Sequence, residues 1–414
     1  MSGMSTRARV SLALRNILKN RRRSLLTILS VAIGYIALSL FEGYFMYVYR
    51  ILEDQAIIGE RLGHITITKK GFLEKGVQEP RKYAFDKKEL AKAQDILSEY
   101  DEVKLVSPKL SVSGLVSNGQ ITRIFVGDSI APKDIDALRG EQYADLPGRL
   151  DPNDPYAGVF GEKLTQYLDT EVGGSLSLVA STIDGMVNAI DITVGEATNT
   201  GSSGSDDKSI LMSLELARKL LLFDGADRIS VLLQSKDQIP SVGPALVKRL
   251  QEAGMDVEYH EWSTLSQYYA QVKGLFDVMY LFIMIVVAVV VMFSVANTLG
   301  MSIAERTREI GTLRALGARR SNVIGMFIIE GVTMVAIGIV VGLVVTYLLG
   351  YGINAADITY VPPDSSVEAE LKIDLIPENL FGSAFTMIVL AALVSWLPSR
   401  RAGRMQIVDA LSHV

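Results

Sequence analysis

Four stretches of this sequence are long enough and apolar enough to cross a lipid bilayer, which constrains the chain more than any other feature. A helix needs about 20 consecutive apolar residues to span the hydrocarbon core. The stretches run over about 25–48, 276–299, 323–349 and 380–397, and the second contains the block MIVVAVVVMF. In the second and third, apolar residues go all the way round any helix drawn through them. A buried amphipathic helix of a soluble protein would keep a polar face at 3.6-residue spacing, so core helices of a large soluble enzyme are the weaker reading. The first stretch is too long for the apolar region of a cleaved signal peptide, and no A-x-A site follows it. The mean hydropathy of +0.28 is then an average over two unlike parts, apolar helices and a large polar insertion.

Lysine and arginine in the short flanks set an orientation, because they are retained on the cytoplasmic side. Arg7, Arg9, Arg15, Lys19, Arg21, Arg22 and Arg23 precede the first stretch. Arg306, Arg308, Arg314, Arg319 and Arg320 lie between the second and third, and Arg400, Arg401 and Arg404 follow the fourth. The connection between the third and fourth carries Lys372 against Asp357, Asp364, Glu368, Glu370, Asp374 and Glu378. Both termini and the connection at 301–322 are therefore expected in the cytoplasm, and 50–274 and 351–379 outside. In residues 1–23, Val10, Ala13, Leu14, Ile17 and Leu18 recur at helical spacing, with Arg9, Arg15, Lys19 and Arg22 mostly on other sides. That pattern predicts a short basic amphipathic helix on the inner leaflet; a positive flank that only sets topology is the alternative.

The expected fold class is an α-helical membrane protein with four transmembrane helices and a large extracytoplasmic α+β domain inserted between the first and second. Its parts are the basic helix at 1–23, the first transmembrane helix and stalk at 24–49, the inserted domain at 50–274, and the second transmembrane helix at 275–300. The connection at 301–322 follows, then the third helix at 323–350, the loop at 351–379, the fourth helix at 380–398 and the tail at 399–414. Within the inserted domain, alternating β-branched runs predict strands at His64–Thr68, Lys109–Val116, Ile121–Val126, Ser175–Val179 and Ile229–Leu233. Ser117-Asn118-Gly119-Gln120 predicts a tight hairpin. Helical periodicity appears at 86–99, 162–168, 213–222 and 241–253, a break between two subdomains is expected near Leu150–Pro155, and 197–209 reads as a flexible loop. Aromatics crowd both junctions with the membrane: Tyr44, Phe45, Tyr47 and Tyr49 on one, Tyr268, Tyr269, Phe276 and Tyr280 on the other.

No chemistry of its own is legible in the chain. There is no cysteine, which removes disulfides, thiolate metal sites and a thiol nucleophile. The three histidines, at 64, 260 and 413, stand in no metal-ligand spacing, and no G-x-S-x-G elbow occurs. His64, in a strand pattern, reads as structural. A net charge of -5 argues against a nucleic-acid partner. No G-x-x-x-x-G-K-[ST] loop occurs, and the nearest Lys-Ser pair, Lys208-Ser209, follows Asp207, which would repel a phosphate. Asp277, Asn297 and Glu42 lie near ends of the apolar stretches, which gives no polar path through the membrane.

The connection after the second stretch reads Glu305-Arg306-Thr307-Arg308-Glu309-Ile310-Gly311-Thr312-Leu313-Arg314-Ala315-Leu316-Gly317-Ala318. As a sequence it predicts a short helix with both charge signs, carboxylates of Glu305 and Glu309 on one face at i, i+4, and an apolar edge of Ile303, Ile310, Leu313 and Leu316. Such a helix suits a groove on a soluble partner; a simple interfacial connector is the alternative. The run closely resembles the E-R-x-R-E-I-G-x-x-x-A-L-G-A signature of the FtsX-like ABC transporter permeases, the family of the macrolide exporter MacB and the lipoprotein-releasing permeases LolC and LolE. The end, Pro398-Ser399-Arg400-Arg401-Ala402 through Gln406 to Ala410-Leu411, resembles that family's P-x-x-R-A…P-x-x-A-L tail, with Gln406 where proline is usual and an extra basic pair. The resemblance covers the layout of the whole chain and about 55 residues of motif.

That resemblance implies that 302–318 contacts the ATPase, with Glu305, Arg306, Arg308, Glu309, Gly311, Arg314, Leu316 and Gly317 as coupling residues. It implies a soluble ABC ATPase dimer as partner, with ATP–Mg held there and no cofactor bound directly by this chain, and no enzyme activity of its own. A second permease copy or paralogue, the lipid membrane, and a periplasmic protein or lipoprotein complete the expected partners. Gly338 and Gly342 form a small-xxx-small motif for close helix packing, within one subunit or between two. The expected location is the bacterial inner membrane. The expected function is mechanotransmission, in which ATP hydrolysis moves the outer domain to release or export an amphiphile such as a lipoprotein. Macrolide or peptide efflux and activation of a cell-wall hydrolase are the alternatives, and a membrane-tethered enzyme or receptor fits less well. Reporter fusions after about residue 130 should report an extracytoplasmic position and fusions after about residue 318 a cytoplasmic one; a cytoplasmic signal from the first would overturn the orientation.

Overall fold

A computed structural model describes residues 21–139, 147–199, 203–361 and 368–406, with 13, 15–17 and 19 of the leading segment. Val10, Leu14, Leu18 and Arg9 of the expected basic helix lie outside the described residues, as do His413 and the Ala410-Leu411 tail. Among the described residues, four helices are long and apolar enough to cross a membrane. They are Arg21–Asp54, Gln267–Glu305, Arg320–Ala355 and Pro377–Arg404. The chain divides into two units. One comprises Met1–Tyr49, Val272–Ile358 and Glu370–Val414; the other comprises Arg50–Gln271 and Thr359–Ala369.

In the first unit the helices pack where side chains are smallest. A Cβ on Gly338 would lie 2.7 Å from Val31 Cγ1, and one on Gly342 would lie 3.1 Å from the Ala32 carbonyl. This small-xxx-small face thus seats the first long helix of the same chain. The junction aromatics meet one another: Phe45 stacks on Phe276 with ring centroids 4.5 Å apart, and the Tyr49 hydroxyl donates to Asp277 at 2.9 Å.

Among the described residues, the second unit is built on a four-stranded sheet and a closed barrel, with a short two-stranded ladder of Thr359–Tyr360 and Ala369–Glu370. The four-stranded sheet has the order β10-β1-β9-β2, all antiparallel, from Val257–Glu261, Ile65–Lys69, Arg228–Leu233 and Val103–Lys109. The barrel closes in the order β3-β4-β8-β5-β7-β6. Its strands are Val112–Ser117, Thr122–Ile130, Ser209–Ser213, Ala157–Gly161, Val187–Thr198 and Ser175–Ser181. The β3–β4 hairpin turns through Asn118, whose Oδ1 accepts the Gln120 and Ile121 amides, and Gly119 at φ 91, a conformation glycine takes without strain. Phe125, Phe160, Leu164 and Leu178 are fully buried inside the barrel core, each contributing about 1.5–3 kcal/mol by leaving water.

Several expectations are corrected here. The subdomains do not part once near Leu150. The barrel is nested in the sheet subdomain, and the chain passes between their cores repeatedly. Ile135, Leu138 and Leu150 return to the core of the four-stranded sheet between two barrel strands. Lys109–Val116 is not one strand: Lys109 ends β2 and Val112 begins β3. The loop at 197–209 is ordered at both ends. β7 runs to Thr198, a turn of helix covers Ser203–Asp206, and buried Asp206 accepts the Lys163 amide at 2.9 Å.

A charged cluster lies where β2, β4 and β9 come together. Asp128 pairs with Arg228 at 2.7 Å and lies 3.6 Å from Arg61 and 3.9 Å from Lys109. Arg228 also pairs with Asp227 at 3.0 Å, and Asp227 accepts the Ser111 amide at 2.8 Å. Burial works to raise the Asp128 carboxyl, but Arg228, Lys109 and Arg61 outweigh it and hold the group below its ordinary range. Burial pushes the Lys109 ammonium down to about 7; Asp128 and Asp134 oppose this, while Arg61 and Arg228 add to it. An unfolded lysine keeps its proton to about pH 10.4. The unfolded chain therefore binds the extra proton between about 7 and 10, and this group makes stability rise with pH across that window. In Lys109→Met that rise should be lost; a melting temperature that climbs from pH 7 to 9.5 as steeply as the parent's would contradict the assignment.

Candidate coupling site

The second long helix ends at Glu305, and a separate short helix, Thr307–Ala315, begins one residue later. Arg306 stands between them at φ -110, ψ 17, outside the helical region. The single helix expected over 302–318 is thus two, and Glu305 and Glu309 are not an i, i+4 pair on one helix. The Thr307 hydroxyl donates to the Ile303 and Ala304 carbonyls at 3.1 and 3.0 Å, satisfying acceptors near the break. Gly317, at φ 95, follows the short helix before the third long helix starts at Arg320. Left-handed backbone there is the ordinary glycine helix stop.

The break turns Arg306 inward. Its Nε lies 3.0 Å from Glu309, its Nη1 3.3 Å from Glu330, and its guanidinium 5.7 Å from the Phe327 ring centroid. Glu330 also accepts from Ser302 at 3.1 Å and from Asn16 at 3.4 Å. Glu330 was missed by sequence reasoning. Its signal was present: it is the lone acidic or basic residue of the third apolar stretch, and a charge in such a stretch needs a partner. Here the partner is the connector itself.

The remaining predicted residues separate by direction. Gly311 is buried beside Ile310. Arg314 donates to the Met405 carbonyl at 2.5 Å and the Gly403 carbonyl at 3.3 Å, fastening the connector to the end of the fourth long helix. Glu305 pairs with Arg23, and Glu309 lies 3.9 Å from Lys19, so both carboxylates meet the basic leading segment. Arg308 and Gly317 are exposed. The expected apolar edge splits: Ile303 and Ile310 are buried, whereas Leu313 and Leu316 are 43% and 73% exposed. The leading segment, the connector and the end of the fourth helix therefore meet at one end of the bundle.

Removing one partner of a buried ion pair leaves the other charge uncompensated, a loss of about 3–5 kcal/mol. Glu330→Ala should lower the apparent melting temperature of the detergent-solubilised chain, and the double replacement Arg306→Met with Glu330→Leu should recover most of it. An unshifted Glu330→Ala would remove the pair from any structural role.

Comparison with known proteins places these features in a family. A model described as the MacB-like periplasmic core domain matches residues 24–249, more than half of the chain, and one described as the FtsX-like permease C-terminal matches 281–407. An uncharacterized ABC transporter permease of Methanocaldococcus jannaschii is 25% identical over 412 residues, covering 97% of each chain. The macrolide export ATP-binding/permease protein MacB of Escherichia coli K12 is 33% identical over 119 residues, which cover 29% of this chain and 17% of that protein. Among solved structures, the periplasmic region of MacB from Actinobacillus actinomycetemcomitans aligns with a TM-score of 0.35 at 15% identity, covering 52% of this chain and 97% of that one. The extracellular domain of the transporter YknZ from Gram-positive bacteria aligns with a TM-score of 0.33 at 17% identity, covering 48% and 99%. The chain is a membrane protein and belongs to the MacB/FtsX family of ABC transporter permeases.

Proposed function

We propose that this permease works as a mechanotransmitter. A soluble ATPase dimer, which holds ATP–Mg, docks on the short helix Thr307–Ala315 and its following turn. Its closure moves the connectors of two permease copies, or of this chain and a paralogue, and the first and second long helices carry that motion to the inserted domains. In this reading both termini and the connector lie in the cytoplasm, the membrane is the inner membrane, and 50–274 works outside it. The bias of basic residues supports that orientation.

The observation that carries the reading is the combination of an exposed pair, Leu313 and Leu316, with a braced interior. Two large exposed leucines beside Arg308 form a small apolar edge of the kind that seats in a partner's groove. Behind them Arg306, Glu330 and Arg314 tie the short helix to the bundle, so a push on the edge is transmitted and not absorbed. Similarity along the whole chain to an ABC transporter permease supports an ATPase partner. The cargo in this reading is an amphiphile such as a lipoprotein, released or exported from the outer side. The macrolide export protein among the relatives favours macrolide or peptide efflux as the second reading.

Leu313→Asp with Leu316→Asp should reduce co-purification of a soluble ATPase in mild detergent at least tenfold, with membrane insertion and melting temperature unchanged. Undiminished ATPase association in that variant would sink the docking role.

A further inference from the structure

The inserted unit contains a cleft of about 740 Å³, within the usual range for small-molecule sites. It opens between the Gln55–Gly59 turn, the helix Pro132–Arg139 and strands β4, β5 and β8. Ile51, Ile58, Val126 and Tyr268 give it an exposed or half-buried apolar lining. Arg61, Arg139, Lys208 and Arg228 also line it, against the carboxylates of Asp54, Glu60 and Asp128.

Three observations set the wall for an anion. Arg61 is held at φ 59, a left-handed conformation strained for a residue with a side chain, and its carbonyl is fixed by the Ser230 hydroxyl at 3.1 Å. Strain of this kind persists where the surroundings impose it and is concentrated at ligand sites. The Arg61 Nε is buried without a hydrogen-bond partner, because its nearest carboxylate, Asp128 at 3.6 Å, is shared with Arg228 and Lys109. Lys208 is exposed at the cleft and forms no ion pair among the described residues. On the acidic side, Glu60 accepts from Ser266 at 3.1 Å, and burial raises its carboxyl toward the neutral form.

From this geometry we infer that the cleft binds a monoacyl anion, with a carboxylate or phosphate head at Arg61 and Lys208 and its chain along Ile58 and Val126. A bare inorganic anion would leave the apolar lining wet, and a neutral lipid would leave the Arg61 donor unpaired. A single-chain amphiphile with one negative head meets both. The site belongs to the inserted unit alone and stands whether or not the bound molecule is what the permease moves.

The test uses the full chain in phosphatidylcholine nanodiscs, photolabelled with a diazirine fatty acid and mapped by peptide mass spectrometry. Peptides containing Ile58 or Val126 should be labelled. Excess oleate or lysophosphatidate should suppress that labelling at least tenfold, and mono-olein should not. Whichever competitor acts at the lower concentration identifies the head group as carboxylate or phosphate. Lys208→Glu should reduce labelling of those peptides at least tenfold while leaving labelling of the apolar stretch 281–293 unchanged. Gly59→Trp should do the same by filling the rim, since a Cβ there would meet only the Gln55 side chain, at 3.4 Å. Labelling confined to the long helices, competition by mono-olein equal to that by oleate, or parent-level labelling of Lys208→Glu would each overturn the inference. No ATPase takes part in the measurement, so its failure leaves the coupling proposal untouched.

Discussion

Helices in a bilayer gain nothing by hiding apolar side chains from lipid, so their association depends on close backbone approach and on polar contacts. The first unit is organised by that constraint. Gly338 and Gly342 bring the third long helix against Val31, Ala32 and Tyr35 of the first, and Gly331 brings it against Ser395 of the fourth. Polar contacts lie alongside. The Thr27 and Thr298 hydroxyls are 2.6 Å apart, the Tyr35 hydroxyl donates to the Leu380 carbonyl at 2.9 Å, and Ser383 donates to Glu42 at 2.9 Å. Replacing Gly331, Gly338 or Gly342 by a larger residue would push these helices apart and strain the polar contacts beside them.

The connector takes its shape from that packing. With the third helix in place, Glu330 offers a buried carboxylate at the height where the second helix ends, and Arg306 leaves the helical conformation to reach it. Ile310 and Gly311 then face the bundle, and the exposed side of the short helix is left with Arg308, Leu313 and Leu316. The conspicuous motif thus divides into residues that hold the connector and residues that are free to meet something else. In this connector the two kinds alternate, and residue type alone does not separate them: both Arg306 and Arg308 are arginines, one turned in and one turned out.

The inserted unit follows a different logic, that of a water-soluble fold with two cores. Its chain crosses between sheet and barrel several times, and the charged cluster of Arg61, Lys109, Asp128 and Arg228 gathers beside those crossings. Buried ion pairs seldom add net stability over well-packed apolar groups. Their effect here is positional: a register slip of β2, β4 or β9 would separate Lys109, Asp128 and Arg228 and leave charges buried without partners. The same arrangement leaves the Arg61 donor at the cleft.

By itself the sequence determined the four bilayer-length helices, the bias of basic residues, the Asn118-Gly119 hairpin and the helices near 86–99, 162–168, 213–222 and 241–253. Each is a local property, carried by the composition or periodicity of one short window. The coupling motif was legible for the same reason, and the exposed and buried sides of it were not. Tertiary structure decided the break at Arg306, the pairing of that residue with Glu330 24 positions away, and the nesting of the barrel inside the sheet subdomain. It also made a strand of Ala157–Gly161, whose two glycines hide the usual β signal. Thr66 lies opposite both His260 and Ser230 in the sheet. Such pairings depend on which distant segments exclude water together, and no local pattern records that choice.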